Sequence, residues 1–377
     1  MNYDFSEEEQ AFIQAVTECI QPFADKAGPH TARDLAADEQ DLRRVLPALA
    51  ATGYIGAGCG AADIGMQTLT AAMEHVAAAA PSLFLSLEMS SRVFGRAVGA
   101  WAVTPKLRDS VLTQIQSGRG IGAVALSEES MNTENQPLVT AGSREEQQVA
   151  VNGTKSFVIN GPLADWIAVA GQFEDQVALF VIPRDTPGLT LGERFVTSGY
   201  EGTTICMLTL ENCRIPADHV IVAEQPDSLL STLRLWENQV MIGASLGALK
   251  SAFETARDSA KINRTGGKPA IAYQAVAFKL SEMLTLYQTS QLLAYRAAWT
   301  YDTNSRDAES LTWCAKVFCT EAAEKVAGNA LQILASEGFL SGNPAERAFR
   351  NSKLGQIYGT STEIARVKIG DHALGYK

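Results

Sequence analysis

Apolar positions along the first part of the chain recur at helical intervals. Phe12, Ile13, Val16 and Ile20 share one face of a helix that starts at the capping-box sequence Ser6-Glu7-Glu8-Glu9 and runs towards Pro22. A second helix is expected over about Asp41–Thr52, ending at Gly53, and an Ala-rich third over Gln67–Ala80, stopped by Pro81. Leu83–Ala102 is weakly polar all round and reads as a long helix inside the molecule. Thr104–Ser117 is amphipathic, with Thr104 as N-cap and Pro105 at the first helical position.

The texture changes at Gly118. Gly122–Ser127, Gln148–Asn152, Ser156–Asn160, Trp166–Gly171, Gln176–Pro183 and Cys206–Leu210 are short runs rich in Val, Ile, Leu and aromatics. Asn152-Gly153, Asn160-Gly161-Pro162 and Pro187-Gly188 read as turns between them. These runs predict a β domain, a barrel or a sandwich. The helical pattern returns near Ser228 in four main segments, 228–262, 273–302, 307–336 and about 344–374, as in an up-and-down four-helix bundle. The expected architecture is α+β: an N-terminal helical domain (1–120), a middle β domain (121–224) and a C-terminal four-helix bundle (225–377).

One acid interrupts the most apolar helix. Leu230, Leu233, Val240, Met241 and Ala244 surround Glu237 at helical spacing, so Glu237 shares their face. Partial desolvation suits a lone acid there to act as a base. The other reading is an ion pair with Arg234 one turn back, at a solvent-facing helix end. The local pattern leaves both open.

Composition narrows the rest. With 46% hydrophobic and 19% charged residues the chain is ordinary globular material, long enough for two or three domains. A net charge of -11 and the lack of a basic cluster argue against nucleic acid as a partner. The six cysteines form no CxxC pair and the four histidines are dispersed, so no metal site is expected. The N-terminus is acidic rather than signal-like and no apolar run reaches membrane-spanning length, so a soluble, cytoplasmic protein is expected.

Several local motifs occur in one order. They are Phe5-Ser6-Glu7-Glu8-Glu9-Gln10; Ala125-Leu126-Ser127-Glu128; Asn152-Gly153-Thr154-Lys155-Ser156-Phe157-Val158-Ile159-Asn160-Gly161; Leu210-Glu211-Asn212-Cys213-Arg214-Ile215-Pro216; Gln332-Ile333-Leu334 with Gly338-Phe339; and Gln356-Ile357-Tyr358-Gly359-Thr360-Ser361-Thr362-Glu363-Ile364. In this order and spacing the chain resembles the acyl-CoA dehydrogenase family of flavoproteins over essentially its whole length.

That resemblance implies an FAD-dependent α,β-dehydrogenation of an acyl thioester, carried on coenzyme A or on a carrier protein. It implies FAD contacts at Leu126, Ser127, Thr133, Phe157, Val158, Ile159, Arg264, Gln274, Gln332, Ser361 and Glu363. It implies substrate contacts at Thr133, Leu233, Val240, Met241 and Tyr358. The family's usual C-terminal acid position is Gly359 here, which supplies only a backbone N–H. The family's alternative base, on the first bundle helix, falls on Glu237, as in the isovaleryl-type and prolyl-carrier-protein-type enzymes. Asn238 stands where the family carries an Arg that helps hold coenzyme A, and a Trp-Glu pair without that Arg resembles the prolyl-carrier-protein type, which favours a carrier-bound thioester. Gly266 stands where the family has a Phe, Ala335-Ser336 where it has Gly-Gly, Ile159 where it has Thr, and Glu201 where it has Arg. A homodimer or homotetramer is implied, with an electron-transfer flavoprotein or oxygen as electron acceptor. The alternatives are a different flavin-dependent task, or a non-catalytic subunit that completes a partner's site in a hetero-oligomer.

Overall fold

The computed structural model of the chain describes residues 4–25, 34–60, 64–102, 104–129, 136–223 and 226–376. Helix α1 (Glu7–Ile20) begins with a reciprocal cap: the Glu9 N–H donates to the Ser6 hydroxyl and the Ser6 N–H to the Glu9 carboxylate. Helix α2 (Leu35–Ala51) starts ahead of the expected Asp41, because Asp34 caps it by accepting from the Ala36 N–H. A short α3 (Tyr54–Gly58) and α4 (Met66–Ala79) follow, and Pro81 opens α5 (Pro81–Glu88). The expected single helix over 83–102 changes its winding midway. After α5 comes a π-helical stretch, Met89–Gly95, and then α6 (Arg96–Trp101). At that change Glu88 and Arg92 pair in the interior, and the Tyr54 hydroxyl donates to Glu88 at 2.6 Å. Helix α7 (Pro105–Gln116) is capped by Thr104 with Pro105 at its first position, as the pattern predicts.

The β region holds β1 (Gly122–Ala125), β2 (Ala141–Glu145), β3 (Gln148–Ile159), β4 (Trp166–Phe173), β5 (Gln176–Pro183), β6 (Leu189–Leu191), β7 (Ile205–Pro216) and β8 (Val220–Val222). They form one sheet in the order β6-β7-β3-β2-β4-β5-β8, with β1 parallel to β4. Val149, Val151, Phe180, Leu208, Leu210 and Ile215 meet in its apolar core. The two strands expected at 148–152 and 156–160 are a single strand. Asn152-Gly153 is a bulge within it, not a turn: pairing with β7 slips between Val151 and Gly153. Gly153 sits at φ +149°, and a Cβ there would stand 2.4 Å from Thr140 Oγ1, so only glycine lets the two segments come this close.

The C-terminal region begins with α8 (Pro226–Ile262). A two-residue strand pair, β9 (Arg264–Thr265) with β10 (Lys268–Pro269), turns the chain into α9 (Gln274–Asp302) and then α10 (Ala308–Leu334). The expected last helix is two helices, α11 (Pro344–Ile357) and α12 (Thr362–Leu374). The break between them holds Tyr358, Gly359 at φ +72°, and Ser361, whose hydroxyl caps α12 by accepting from the Ile364 N–H. The rear half of α8 packs in the bundle through Leu246 and Leu249, against Met283, Cys319 and Val326. Its front half belongs to a different core. Leu233, Trp236, Val240 and Met241 pack with Phe84, Leu87, Met89, Leu126 and Ile159, so all three regions converge there.

Ion pairs from distant parts of the chain reinforce that convergence: Arg43 with Asp165 at 3.1 Å, Arg194 with Asp38 at 2.7 Å, and Arg347 with Asp25 at 2.9 Å. Among the described residues no helix is long and apolar enough to cross a membrane. No cluster of metal-ligating side chains occurs among them either, and the six cysteines are free thiols.

Candidate active site

Glu237 lies three turns into α8, on the face that carries Leu233, Val240 and Met241, all of which are fully buried. It is itself only 2% exposed, so a bare carboxylate there needs partners. It has two. Arg234 Nη1 donates to Oε2 at 2.8 Å, and the Tyr358 hydroxyl donates to Oε1 at 2.9 Å. The Arg234 ion pair expected at a solvent-facing helix end is therefore present, but it is inside the protein, with the two side chains 11% and 3% exposed. Burial first, and then the Glu237 carboxylate, push the Tyr358 phenol well above its ordinary pKa, which keeps it a donor. Its hydroxyl has a weaker second acceptor, Met89 Sδ at 3.8 Å, on the π-helical stretch.

Arg234 also reaches the β region, with Nη2 3.5 Å from Ser127 Oγ. Ser127 follows β1, and its carbonyl accepts from the Ser156 N–H at 2.9 Å, which holds the 126–128 segment against β3. Beside Ser156, β3 is irregular again. Its pairing with β7 slips between Lys155 and Val158, and Phe157 takes φ +55° with half of its surface exposed. Its ring lies 5.0 Å from that of Phe195. Ile159 turns into the shared core, while the Val158 side chain packs inside the sheet. Leu126 is buried in the shared core.

An exposed aromatic wall, a serine hydroxyl and a guanidinium in one place are the donor set that a flavin ring needs: an apolar flat face at one end and hydrogen-bonding groups at the other. The residues present fit the group. Leu126, Ser127 and Phe157, with the backbone of Val158 and Ile159, would hold it beside Arg234 and Glu237.

Gly359 adjoins the same site. Its N–H donates to no group among the described residues. Ser361 and Glu363 follow at the start of α12, and Glu363 is exposed. Arg264, Gln274 and Gln332 are elsewhere. All three are exposed, and they gather at the far end of the bundle, where Asn263 Nδ2 donates to Glu337 Oε2 at 3.1 Å. Along α8 that end is roughly 40 Å from Glu237 at 1.5 Å per residue. Thr133 lies outside the described residues.

Four features of the site were not read from the sequence. Trp236 stacks on Trp101 at 5.1 Å and donates through Nε1 to the Tyr301 hydroxyl at 3.2 Å, which pins the helix turn that carries Glu237. Arg96 covers the Trp236 ring at 4.8 Å. Asn238 is buried, and both of its polar atoms are on Thr360. It faces the protein interior. Lys316, also buried, donates to the Thr360 carbonyl. Its signal was legible: a lysine on the apolar face of α10 with Ala315, Cys319 and Ala323.

Comparisons with known proteins give the family. The profile of the acyl-CoA dehydrogenase middle domain matches residues 123–213, and that of the acyl-CoA dehydrogenase C-terminal domain matches residues 231–374. An acyl-CoA dehydrogenase of Bacillus subtilis is 30% identical over 70% of this chain and 71% of its own. Among solved structures, the prolyl acyl carrier protein oxidase AnaB superposes with a TM-score of 0.86 at 20% identity, over 98% of this chain and 100% of that one. PigA with FAD and proline superposes at 0.88 and 19% identity, over 100% of this chain and 99% of that one. The fold, the two matched domains and the Bacillus relative together place this chain in the acyl-CoA dehydrogenase family.

Proposed function

We propose that the protein is an FAD-dependent dehydrogenase of an acyl thioester and that Glu237 removes the α proton. One observation carries the reading: Glu237 is a buried carboxylate on an apolar helix face, with both oxygens held, bonded to the residue before Gly359, whose N–H donates to no group among the described residues. The usual acid position of the family is that glycine, so Glu237 is the carboxylate available there.

A bound flavin would supply the acceptor for the β hydrogen and its electron pair. The chain does the rest. The Gly359 N–H polarises the thioester carbonyl and makes the α proton more acidic. Glu237 takes that proton on the second lone pair of Oε1, while the Tyr358 hydroxyl stays on the first. Arg234 stays on Oε2 and keeps the carboxylate aimed. Leu233, Val240 and Met241 exclude water around the reacting carbons. The thioester loses one proton and one hydride, and a carbon–carbon double bond forms. Its carrier is coenzyme A or a carrier protein, and the reoxidant is another flavoprotein or oxygen.

The positions of Arg264, Gln274 and Gln332 support a site built by two chains. They are too far from Glu237 to serve the same flavin, and on this reading they meet a neighbour's. The assembly we propose is a homodimer or a pair of dimers.

Anaerobic mixing of the flavin-loaded protein with acyl-CoA and acyl-carrier thioesters tests the chemistry. Glu237→Gln should keep fold, flavin and substrate binding, and should bleach about 10²–10⁴ times more slowly. Near-normal bleaching would remove Glu237 from the mechanism.

A further inference from the structure

Residue 359 is a glycine for a steric reason that involves the neighbour of the base. Gly359 sits at φ +72°, and a Cβ built there would stand 2.6 Å from Asn238 Oδ1. Asn238 cannot move aside, because it is fully buried and committed at both ends. Oδ1 accepts from the Thr360 N–H at 2.9 Å, and Nδ2 donates to Thr360 Oγ1 at 3.1 Å. The buried Lys316 ammonium takes the Thr360 carbonyl from the opposite side. Every polar group of Thr360 is thus held by a side chain from α8 or α10.

The two contacts between α8 and this turn are in step. Glu237 accepts from Tyr358, and its neighbour Asn238 grips Thr360. Hydrogen bonds weaken steeply with distance and angle, so the tyrosine hydroxyl meets Oε1 only if the turn is fixed to a fraction of an ångström. Released, the hydroxyl has Met89 Sδ as its other acceptor.

We propose that Asn238 is a positioning residue for the base. By clamping Thr360 it aims the Tyr358 hydroxyl at Glu237, and by filling the space beside the turn it reserves position 359 for glycine. The proposal deepens the reading of Glu237 as the base and rests on it. Losing that bond leaves Oε1 without its fixed aim, so proton removal slows.

The test is the single-turnover rate of flavin bleaching by saturating acyl thioester, with substrate affinity measured alongside, using the flavin-loaded protein. Asn238→Ala and Tyr358→Phe should each slow bleaching about tenfold and leave substrate affinity unchanged. The double variant should be no slower than Tyr358→Phe alone. A wild-type rate in Asn238→Ala, or a double variant whose slowing is the product of the two, overturns the positioning role. Should Asn238→Ala not fold, Asn238→Ser serves, since it is too short to hold both Thr360 groups.

A second measurement needs no turnover. Gly359→Ala should lower the melting temperature less in the Asn238→Ala or Asn238→Ser background than in wild type, because the contact with Oδ1 is gone and only the backbone strain remains. Equal losses in both backgrounds overturn the steric claim. If Glu237→Gln bleaches normally, the base reading fails while this thermal comparison still stands or falls by itself.

Discussion

Lys155 Nζ donates to Glu128 Oε1 at 2.6 Å, with the two side chains 0% and 9% exposed. Glu128 also accepts from the Val139 and Thr140 N–H groups, at 2.7 and 3.0 Å, and Lys155 also donates to the Leu126 carbonyl at 3.1 Å. Burial would raise the Glu128 pKa, but the ammonium and the two amides outweigh it and hold the carboxyl below its ordinary value. This acid is a tie between segments, already saturated, and it is not a spare base for Glu237. Glu363, the other nearby acid, is exposed and lacks the dry surroundings that proton abstraction from carbon needs.

Lys155→Met should leave the Glu128 carboxylate buried and unpaired. The expected loss is about 3–5 kcal/mol of stability. Urea unfolding would measure it. Flavin content should fall with it, because the pair also fixes Leu126 and Ser127. A loss under about 1 kcal/mol, in the range of a surface pair, would show that the tie is dispensable.

His75 on α4 sets an acid sensitivity. Lys250 Nζ lies 3.2 Å from His75 Nδ1, and an ammonium has no lone pair, so the ring nitrogen must be the acceptor. Burial first, and Lys250 second, push the His75 pKa from 6.5 down to about 4. Between those values the unfolded chain binds a proton that the folded chain refuses. Stability should therefore fall as pH drops from about 6.5 to about 4, and level off below. Glu74, buried beside it with a raised pKa, acts in the opposite sense, so the difference between wild type and His75→Gln isolates the histidine. That difference should change with pH only inside this window. A constant difference from pH 7 to pH 4 would refute the assignment.

Phe278, Leu292 and Trp299 lie on one face of α9 at heptad multiples, 68%, 50% and 38% exposed. An apolar stripe of this kind on a long helix needs a cover. Leu292→Glu should shift the protein towards monomer in light scattering and release flavin at the same time. A monomeric wild type with full flavin would contradict the two-chain site.

Much of the architecture was legible because local chemistry and fold agree. The Ser6 capping box, the Thr104-Pro105 helix start and the Gln176–Pro183 strand stand where their residues put them. The failures are places where a distant segment decides. Asn152-Gly153 reads as a turn, but Thr140 passing beside Gly153 makes it a bulge. β2 has no apolar alternation and is mostly exposed, so only its pairing with β3 and β4 makes it a strand. The break between α11 and α12 was hidden by helical periodicity on both sides, although Gly359 and Ser361 marked it. Of the site, Glu237 was legible because one acid in an apolar stripe is visible locally. Asn238 was not: its partner Thr360 is 122 residues further on.

The length of α8 has a consequence for inheritance. On the two-chain reading, each copy contributes Glu237 to its own site and the Arg264–Gln332 end to its neighbour's. A chain damaged at Glu237 and a chain damaged at the far end would each form dead homodimers. Mixed together, they would form hybrids in which the second chain's site has an intact base and receives an intact far end from the first. One site in each hybrid would work, so two null alleles at opposite ends of a single helix would complement each other, whereas both lesions on one chain would not be rescued by either.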